Sequence, residues 1–550
     1  MRILHRLLAK FHRIPPLTLH ARKFHRTSPP AKMDVSLTDV EDRICTLLDG
    51  CTKWMKKEHG HDTSCRIAGG WVRDKLLGLQ SNDIDIALVN MMGLAFAEHF
   101  QTYCNSLDGV PIEKIAKVEK NPDRSKHLET AKAKVLDVEL DFVNLRSEEY
   151  AEDSRIPTQV DFGTPLQDAL RRDITINALF YNVHTRQVED HTGKGLTDLK
   201  EGIVRTPLPP RDTFLDDPLR VLRCIRFASR FGFSMVPELQ AAAKEEEIQL
   251  ALRTKISRER VGQELDKMMK GNNPLLSVKL INELCLWSSI FDVPAAIASN
   301  FSSPPGPPAQ SLAAASILER IVRPVATHAK IPPIHHTLLS AFTHDSSTPP
   351  RLFLACALTP YRHVTYNDAK GKTHPASEAA LRDAVKLGMQ NHYLDGIPAL
   401  FSSADLLQNP SVGGDKERIR IGLLLREKNV HNPNTGSFWA TSLLFSLIQE
   451  LVPAWNNVTA QLDDKVAADR IKAYNAFVSR VEELGLHEAV DARPLLPGND
   501  VIQVLGTKKS GPWMTRVLSE IVEWQLGHPD GSKEECEIWL RDEHTAGRIS

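Results

Sequence analysis

The chain has 550 residues, room for roughly three or four domains of ordinary size. Its 42% hydrophobic and 25% charged residues set the class as soluble globular, and a formal net charge of −1 excludes a uniformly basic surface, so any nucleic-acid contact has to be a local patch. Eight scattered cysteines form no Cys-x-x-Cys pair, which excludes zinc-ribbon spacing and favours a reducing compartment, and no apolar run reaches the ~20 residues that cross a bilayer.

Residues 1–33 contain no Asp or Glu and carry Arg2, Arg6, Lys10, Arg13, Arg22, Lys23 and Arg26, interleaved with apolar residues through residue 11. A basic amphipathic leader without acids predicts mitochondrial targeting, with a processing site near Arg22–Ser28; a basic tail that touches RNA is the alternative. Met33 offers a second start, which would give a cytosolic or nuclear form.

Helical spacing of Leu37, Val40, Ile44, Leu47 and Leu48 predicts a helix over 36–58. Residues 65–89 read as strand, Gly69-Gly70, helix from Trp71 to Leu77, turn, and strand from Asp83 to Val89. Over 135–145, Leu136, Val138, Leu140 and Phe142 alternate with Asp137, Glu139 and Asp141, which predicts one strand with a single buried face. Beyond the linker Thr206–Pro210 nearly every periodic stretch is helical, while 302–308, 345–350 and 409–416 read as loops. The predicted class is α+β: a small mixed α/β head with a palm-like sheet, followed by an all-α neck, body and tail. The expected divisions are a leader over 1–33, a head over 34–205, a neck over 206–275, and a body and tail over 276–550. Nothing in the sequence fixes an oligomeric state.

Chemistry concentrates in the head. Glycines at the mouth of a helix let backbone N–H groups approach a phosphate, which singles out Gly69 and Gly70. Asp83 and Asp85 lie two apart on a strand, so their carboxylates share a face and suit Mg²⁺. A dozen residues separate the two features, and the combination resembles the polymerase-β-like nucleotidyltransferases. That resemblance implies a third carboxylate on a neighbouring strand, matched by Asp141; Asp137 and Glu139 share its face and stay open. Arg171, Arg172 and Asp173 read as a helix start, with arginine forks suited to triphosphate oxygens. Asn177, four residues after Asp173, would share its helix face and bond ribose hydroxyls.

The segment Leu215–Phe227 is the most specific. Asp217 fits an N-cap before Pro218, and Arg220, Arg223, Arg226 and Arg230 line one edge of the helix while Val221, Leu222, Ile225 and Ala228 take the other. Cytosine and adenine each present an amino donor beside a ring-nitrogen acceptor. Asp217 can accept from the first while Arg220 donates to the second, and guanine and uracil present the opposite order. Judged alone, the pair is an i,i+3 salt bridge worth a few tenths of a kcal/mol, as an order of magnitude.

In this order the motifs resemble those of a class II CCA-adding enzyme, a tRNA nucleotidyltransferase, over about residues 65 to 265. The resemblance implies nucleotide contacts from Gly69, Gly70, Arg73, Arg171, Arg172, Asp173, Asn177, Asp217, Arg220 and Arg223. It implies catalytic carboxylates at Asp83, Asp85 and Asp141, with Mg²⁺ on Asp83 and Asp85. It further implies a hinge over Glu189–Arg205, a neck-steadying motif from Ile256 through Glu264, and a Gly-rich helical turn over Leu496–Trp513 whose backbone N–H groups would meet RNA phosphates, with Lys508 and Lys509 adding charge; a simple helix-turn-helix corner is the alternative there. Asp216 stands where bacterial members have Glu. The expected partners are CTP, ATP and the tRNA acceptor end, with no membrane. A poly(A) polymerase of the same superfamily and an inactive RNA-binding scaffold are the competing functions; a basic Gly-Arg-Arg-Phe-like stretch after the two aspartates would mark the first, and Ala87–Gly93 stands there instead.

Overall fold

Apolar side chains at every second position decide which face of a strand is buried, and two strands of the head obey this closely. In a computed structural model describing residues 34–107, 115–118, 130–149, 159–324, 331–507 and 511–549, the head is built in chain order from α1 (Asp39–His59), β1 (Cys65–Ala68), α2 (Gly70–Leu76), β2 (Ile84–Leu88), α3 (Gly93–Asn105), β3 (Ala116–Val118), β4 (Thr130–Val135), β5 (Val138–Asn144), β6 (Arg146–Glu149), β7 (Gln159–Phe162), α4 (Pro165–Leu170), β8 (Phe180–Asn182), β9 (Gln187–Glu189), α5 (Gly195–Glu201) and β10 (Ile203–Val204). The expected leader and Lys508 and Lys509 lie outside the described residues.

Seven strands form one sheet in the order β3-β4-β5-β2-β1-β8-β9. Only β2 and β5 run parallel within it; the other neighbours are antiparallel. Ile84, Ile86 and Leu88 of β2 and Leu140 and Phe142 of β5 enter the main core, where Phe96 and Phe100 of α3 pack on Phe142 with ring centroids 5.4 and 5.7 Å away. Asp85, Ala87, Asp141 and Val143 therefore point to the opposite face, where Ala68, Ala87, Leu145, Ala169, Ala178 and Phe180 form a small core of their own.

The strand read over 135–145 is shorter than its alternation suggests. Leu136 and Asp137 have φ of 51° and 63° and make the two-residue turn between β4 and β5. Positive φ at both central residues matches the twist of a hairpin. Asp137 is thus a turn residue, paired with Lys134 at 3.2 Å, and leaves the strand face.

The neck follows as α6 (Pro210–Asp216), α7 (Leu219–Phe231), β11 (Ser234–Met235), α8 (Pro237–Ala243), α9 (Glu246–Thr254) and α10 (Arg258–Met269). Val221, Leu222, Ile225 and Ala228 of α7 are buried as the sequence predicts. The remainder is helical apart from two short hairpins, Thr365–Asn367 with Thr373–Pro375 and Trp455–Asn456 with Gln461–Leu462. One expected loop is a helix: Thr348–Ala357 begins inside 345–350. Pro349 and Pro350 occupy its first turn, where a missing N–H costs nothing. The segments 302–308 and 409–416 contain no helix longer than a turn. Leu496, Val501, Val517, Ile521, Cys536, Leu540 and Ile549 of the tail form a core separate from the main one. All eight cysteines are unpaired, and all but Cys285 are buried. Among the described residues no helix is long and apolar enough to cross a membrane.

α1 is joined to the glycine-bearing segment through one buried acid. Glu41 accepts from the Thr38 amide (2.8 Å), the Trp71 indole (3.2 Å) and Lys75 Nζ (2.7 Å). Glu41→Ala removes a helix cap and leaves Lys75 buried without its counter-charge. It should cost about 3 to 5 kcal/mol, measured as a lowered melting temperature of the full chain, with Glu41→Gln intermediate.

Candidate active site

The register of the parallel pair brings the acids together. Asp85 of β2 lies directly opposite Asp141 of β5. Asp83, just before β2, completes a group in which one carboxylate oxygen from each residue lies within 4.8 Å of the others. Glu139 sits one full repeat away, opposite Lys134. Of the three acids left open on this strand, Asp141 is the one beside Asp83 and Asp85. Burial, then the neighbouring charges of Asp83 and Asp141, push the Asp85 carboxyl up to about 6, against the pull of Arg172 and Lys132. Asp141 Oδ1 is buried with no hydrogen-bond partner among the described residues. A buried acceptor without a donor, inside a group of acceptors, fits a cation.

A second cluster, His335, His336 and Glu482, gathers three donor atoms within the same 4.8 Å. There His335 Nδ1 accepts the Thr337 amide hydrogen at 3.3 Å, which places the neutral ring's proton on Nε2, the atom that faces Glu482. Glu482 lies 3.8 Å from that atom and accepts the Thr337 hydroxyl hydrogen at 2.5 Å.

The glycines differ from each other. Gly69, with φ +70°, receives no tolerance for a side chain, since a Cβ there would lie 2.5 Å from Arg172 Nη1. At Gly70 a Cβ would meet only Arg73, at an ordinary 3.5 Å. Arg73 itself is 4% exposed. It donates to Asp74 Oδ1 (2.8 Å) and to Asn177 Oδ1, and its guanidinium lies 5.2 and 5.0 Å from the Phe227 and Phe231 ring centres. So Arg73 fastens α2 to α7.

Arg171 and Arg172 end a helix where the sequence suggested a start. Arg171 caps the C-terminus of α4, and both side chains fold back onto Asp168: Arg171 Nε at 2.9 Å, and Arg172 Nε and Nη2 at 3.0 and 2.9 Å. Asp168 is buried; burial alone would raise its carboxyl, but the two guanidinium groups outweigh that and hold it below the usual range. The sequence reading missed Asp168, although its spacing of three and four before the arginines is the mark of a helix-face partner. Thr175–Asn177 is a single 3₁₀ turn, yet Asn177 Nδ2 still reaches Asp173 Oδ1 at 3.0 Å. Arg223 Nε donates to Asp173 Oδ2 at 2.7 Å. Burial would raise the Asp173 carboxyl, and Arg223, Asn177 and Arg220 together hold it at about 2 instead.

The proposed base-reading pair forms no salt bridge. Asp217 Oδ1 accepts the Leu219 amide (3.2 Å), as an N-cap would, and Oδ2 accepts from Arg260 Nη2 (3.0 Å). Arg220 donates to the carbonyl oxygens of Arg171 (2.7 Å) and Thr213 (3.4 Å). Arg226 pairs with Glu264, and Arg230 with Asp74 at 3.4 Å. The arginine edge of α7 is thus attached at intervals to the head and to α10. A chain of hydrogen bonds runs from Arg172 to Arg220, and Asp85 lies within the electrostatic reach of Arg172. Asp168 joins Arg172 to Arg171, and the Arg171 carbonyl holds Arg220. Arg258, in the motif expected to steady the neck, donates to the carbonyls of Ala384, Ser289 and Ile290.

Known proteins resemble this chain along its length. The family model for the poly A polymerase head domain matches residues 65–205. A protein of Candida glabrata named a mitochondrial CCA tRNA nucleotidyltransferase is 37% identical, covering 92% of this chain and 96% of its own. One of Saccharomyces cerevisiae with the same name is 36% identical, over 92% and 93%. The crystal structure of the Bacillus stearothermophilus CCA-adding enzyme in complex with CTP shares the fold, with a TM-score of 0.52 at 18% identity, over 93% of this chain and 99% of that one.

Asp168→Asn withdraws the counter-charge of two arginines at once and should cost about 3 kcal/mol or more. In the fold its carboxyl titrates below the usual range. The stabilisation is therefore present above the ordinary carboxylate value and is lost as the pH falls through the depressed one. The stability gap between wild type and Asp168→Asn, measured by thermal melting, should be constant near neutrality and narrow below about pH 4. Arg73→Ala should lower the melting temperature at every pH, because Arg73 is a fastening between α2 and α7.

Proposed function

We infer that this chain, which belongs to the family of CCA-adding tRNA nucleotidyltransferases, adds C, C and A to the 3′ end of tRNA from CTP and ATP, without a nucleic-acid template and with release of pyrophosphate. The observation that carries the chemistry is the group Asp83, Asp85 and Asp141, with oxygens within 4.8 Å. The poly A polymerase head-domain model matches residues 65–205, whereas the likeness to proteins named CCA tRNA nucleotidyltransferases covers 92% of the chain.

Mg²⁺ is the ion we assign to the three carboxylates, because acceptor-only oxygens suit a hard cation that keeps waters and takes phosphate ligands. When bound it offsets the charge of the triphosphate and of the attacking oxygen. The rest is for the protein to do. The tRNA 3′ hydroxyl gives up its proton to water and attacks the α-phosphorus in line, and the bond to pyrophosphate breaks as the new ester forms. Arg171 and Arg172, braced on Asp168, present positive charge next to Asp85 for the phosphates. Asp173 and Asn177 fix the ribose side. Arg223 acts through Asp173, and Arg73 acts through packing.

Base choice falls to Asp217 and Arg220. Each is already held, by Arg260 and by the Arg171 carbonyl, so the pair presents an acceptor and a donor in fixed order. An amino group beside a ring acceptor satisfies both; a carbonyl beside an N–H satisfies neither, and a desolvated polar group left unpaired costs about 1 to 3 kcal/mol. Residues 34–205 are taken as the head, 206–275 as the neck, and 276–550 as the body and tail that hold the tRNA. Both yeast relatives are named mitochondrial; targeting by residues 1–33, and a second cytosolic or nuclear form from Met33, belong to this proposal.

The test offers all four nucleoside triphosphates to tRNA ending at the discriminator base, after C, and after CC. Addition of C, C and A followed by a stop is expected; a long A tract, or incorporation of G or U, overturns the reading. Asp85→Ala should reduce incorporation below detection. Arg220→Ala should retain CTP incorporation and lose about tenfold to a hundredfold of the discrimination against UTP and GTP.

A further inference from the structure

The sheet face that carries the acids also carries a cation. Lys132 of β4 lies opposite Asp141 of β5, which in turn lies opposite Asp85 of β2. Directly opposed residues share a face, with Cβ atoms about 5 Å apart. The three side chains therefore stand in one row across three strands. Lys132 Nζ is 2.9 Å from Asp141 Oδ2, while Asp141 Oδ1 is buried with no partner among the described residues. The carboxylate is divided, with one oxygen on the ammonium and the other left for something else. The Lys132 side chain is 47% exposed, so it has an exit towards solvent.

We propose that Lys132 is a resident counter-ion of the Asp83–Asp85–Asp141 group, which offsets their mutual repulsion while no divalent ion is bound and keeps affinity for that ion low until a nucleoside triphosphate arrives with its own phosphate ligands. The proposal rests on the nucleotidyltransfer reading above and deepens it. An ammonium at 2.9 Å from a ligand oxygen competes for that oxygen, and its charge repels an incoming divalent ion. Removing it makes the group more negative and should tighten the ion. A residue that only positioned Asp141 would give the opposite sign, because its loss would let a ligand drift.

Mn²⁺ is the probe, since free Mn²⁺ can be counted by its paramagnetic resonance signal without any turnover. The full chain is titrated without nucleotide or RNA, alongside Lys132→Met, Lys132→Arg and the double variant Asp83→Asn, Asp85→Asn as a blank. Lys132→Met should bind Mn²⁺ about three- to tenfold more tightly than wild type, and the gap should narrow as salt is raised. Lys132→Arg should stay near wild type. With CTP present, the gain in Mn²⁺ affinity should be smaller in Lys132→Met than in wild type. Without Mn²⁺, Lys132→Met should melt at a lower temperature than wild type and regain the difference when the ion is added, which separates an electrostatic role from misfolding. Equal or weaker Mn²⁺ binding by Lys132→Met overturns the proposal. If wild type binds no better than the double variant, the reading of the acids as an ion site fails instead.

Discussion

Like charges held within contact distance are the constraint on which this molecule turns. Three carboxylates converge because β2 and β5 run parallel in register, the one parallel pair in the seven-stranded sheet. Taken alone such a pairing would be unfavourable, since opposed like charges repel. It persists because the other faces of the same strands, Ile84, Ile86, Leu88, Leu140 and Phe142, are buried in the main core. Burial first, and then the charges of Asp83 and Asp141, push the Asp85 carboxyl up to about 6. Cations beside the group, Lys132 on one side and Arg172 on the other, reduce the repulsion in part.

The arginines show a division of labour that charge alone would not suggest. Those on α7 pair with Asp173, Glu264, Asp74 and main-chain carbonyls, and Arg73 lies against Phe227 and Phe231. Burying so many ions is costly, and packed apolar residues could match the stability. Ion pairs with fixed geometry instead hold a helix at a defined rotation. The neck helix that carries Arg220 is thereby referenced to the same loop that carries Arg171 and Asp173. Asp217 and Arg220 are thus held in one frame with Arg171, Arg172 and Asp173.

Much of this was legible in the residues, because periodicity is a local property. Gly69-Gly70 with Asp83 and Asp85, the alternation at Leu140 and Phe142, and the buried edge of α7 all depend on neighbours within a turn or a repeat. What escaped notice depends on distant partners or on backbone shape. Alternation continues through Leu136 and Asp137 although the chain turns there, since a two-residue turn leaves the pattern unbroken. Two prolines after Ser347 look like a loop until a helix is seen to start on them. The Asp217–Arg220 spacing suits a salt bridge, but Arg260, 40 positions after Arg220, takes the carboxylate instead. Arg73 sits in a motif associated with nucleotides and is consumed by packing, which no count of charges could reveal. The helical class of the second half was readable; the pairing of its helices was not.

The separate core of the tail has a consequence for how the chain comes apart. Unfolding is cooperative where residues share a core, and the tail's Leu496–Ile549 cluster meets the main core through one helix, Trp513–Gly527, where Val522 and Leu526 pack against that core, Ile419 lies against Gly527 and Arg418 donates to the Leu526 carbonyl. Heating should therefore produce a minor calorimetric transition from the tail beside the main one, and substitutions in the head should shift the main one.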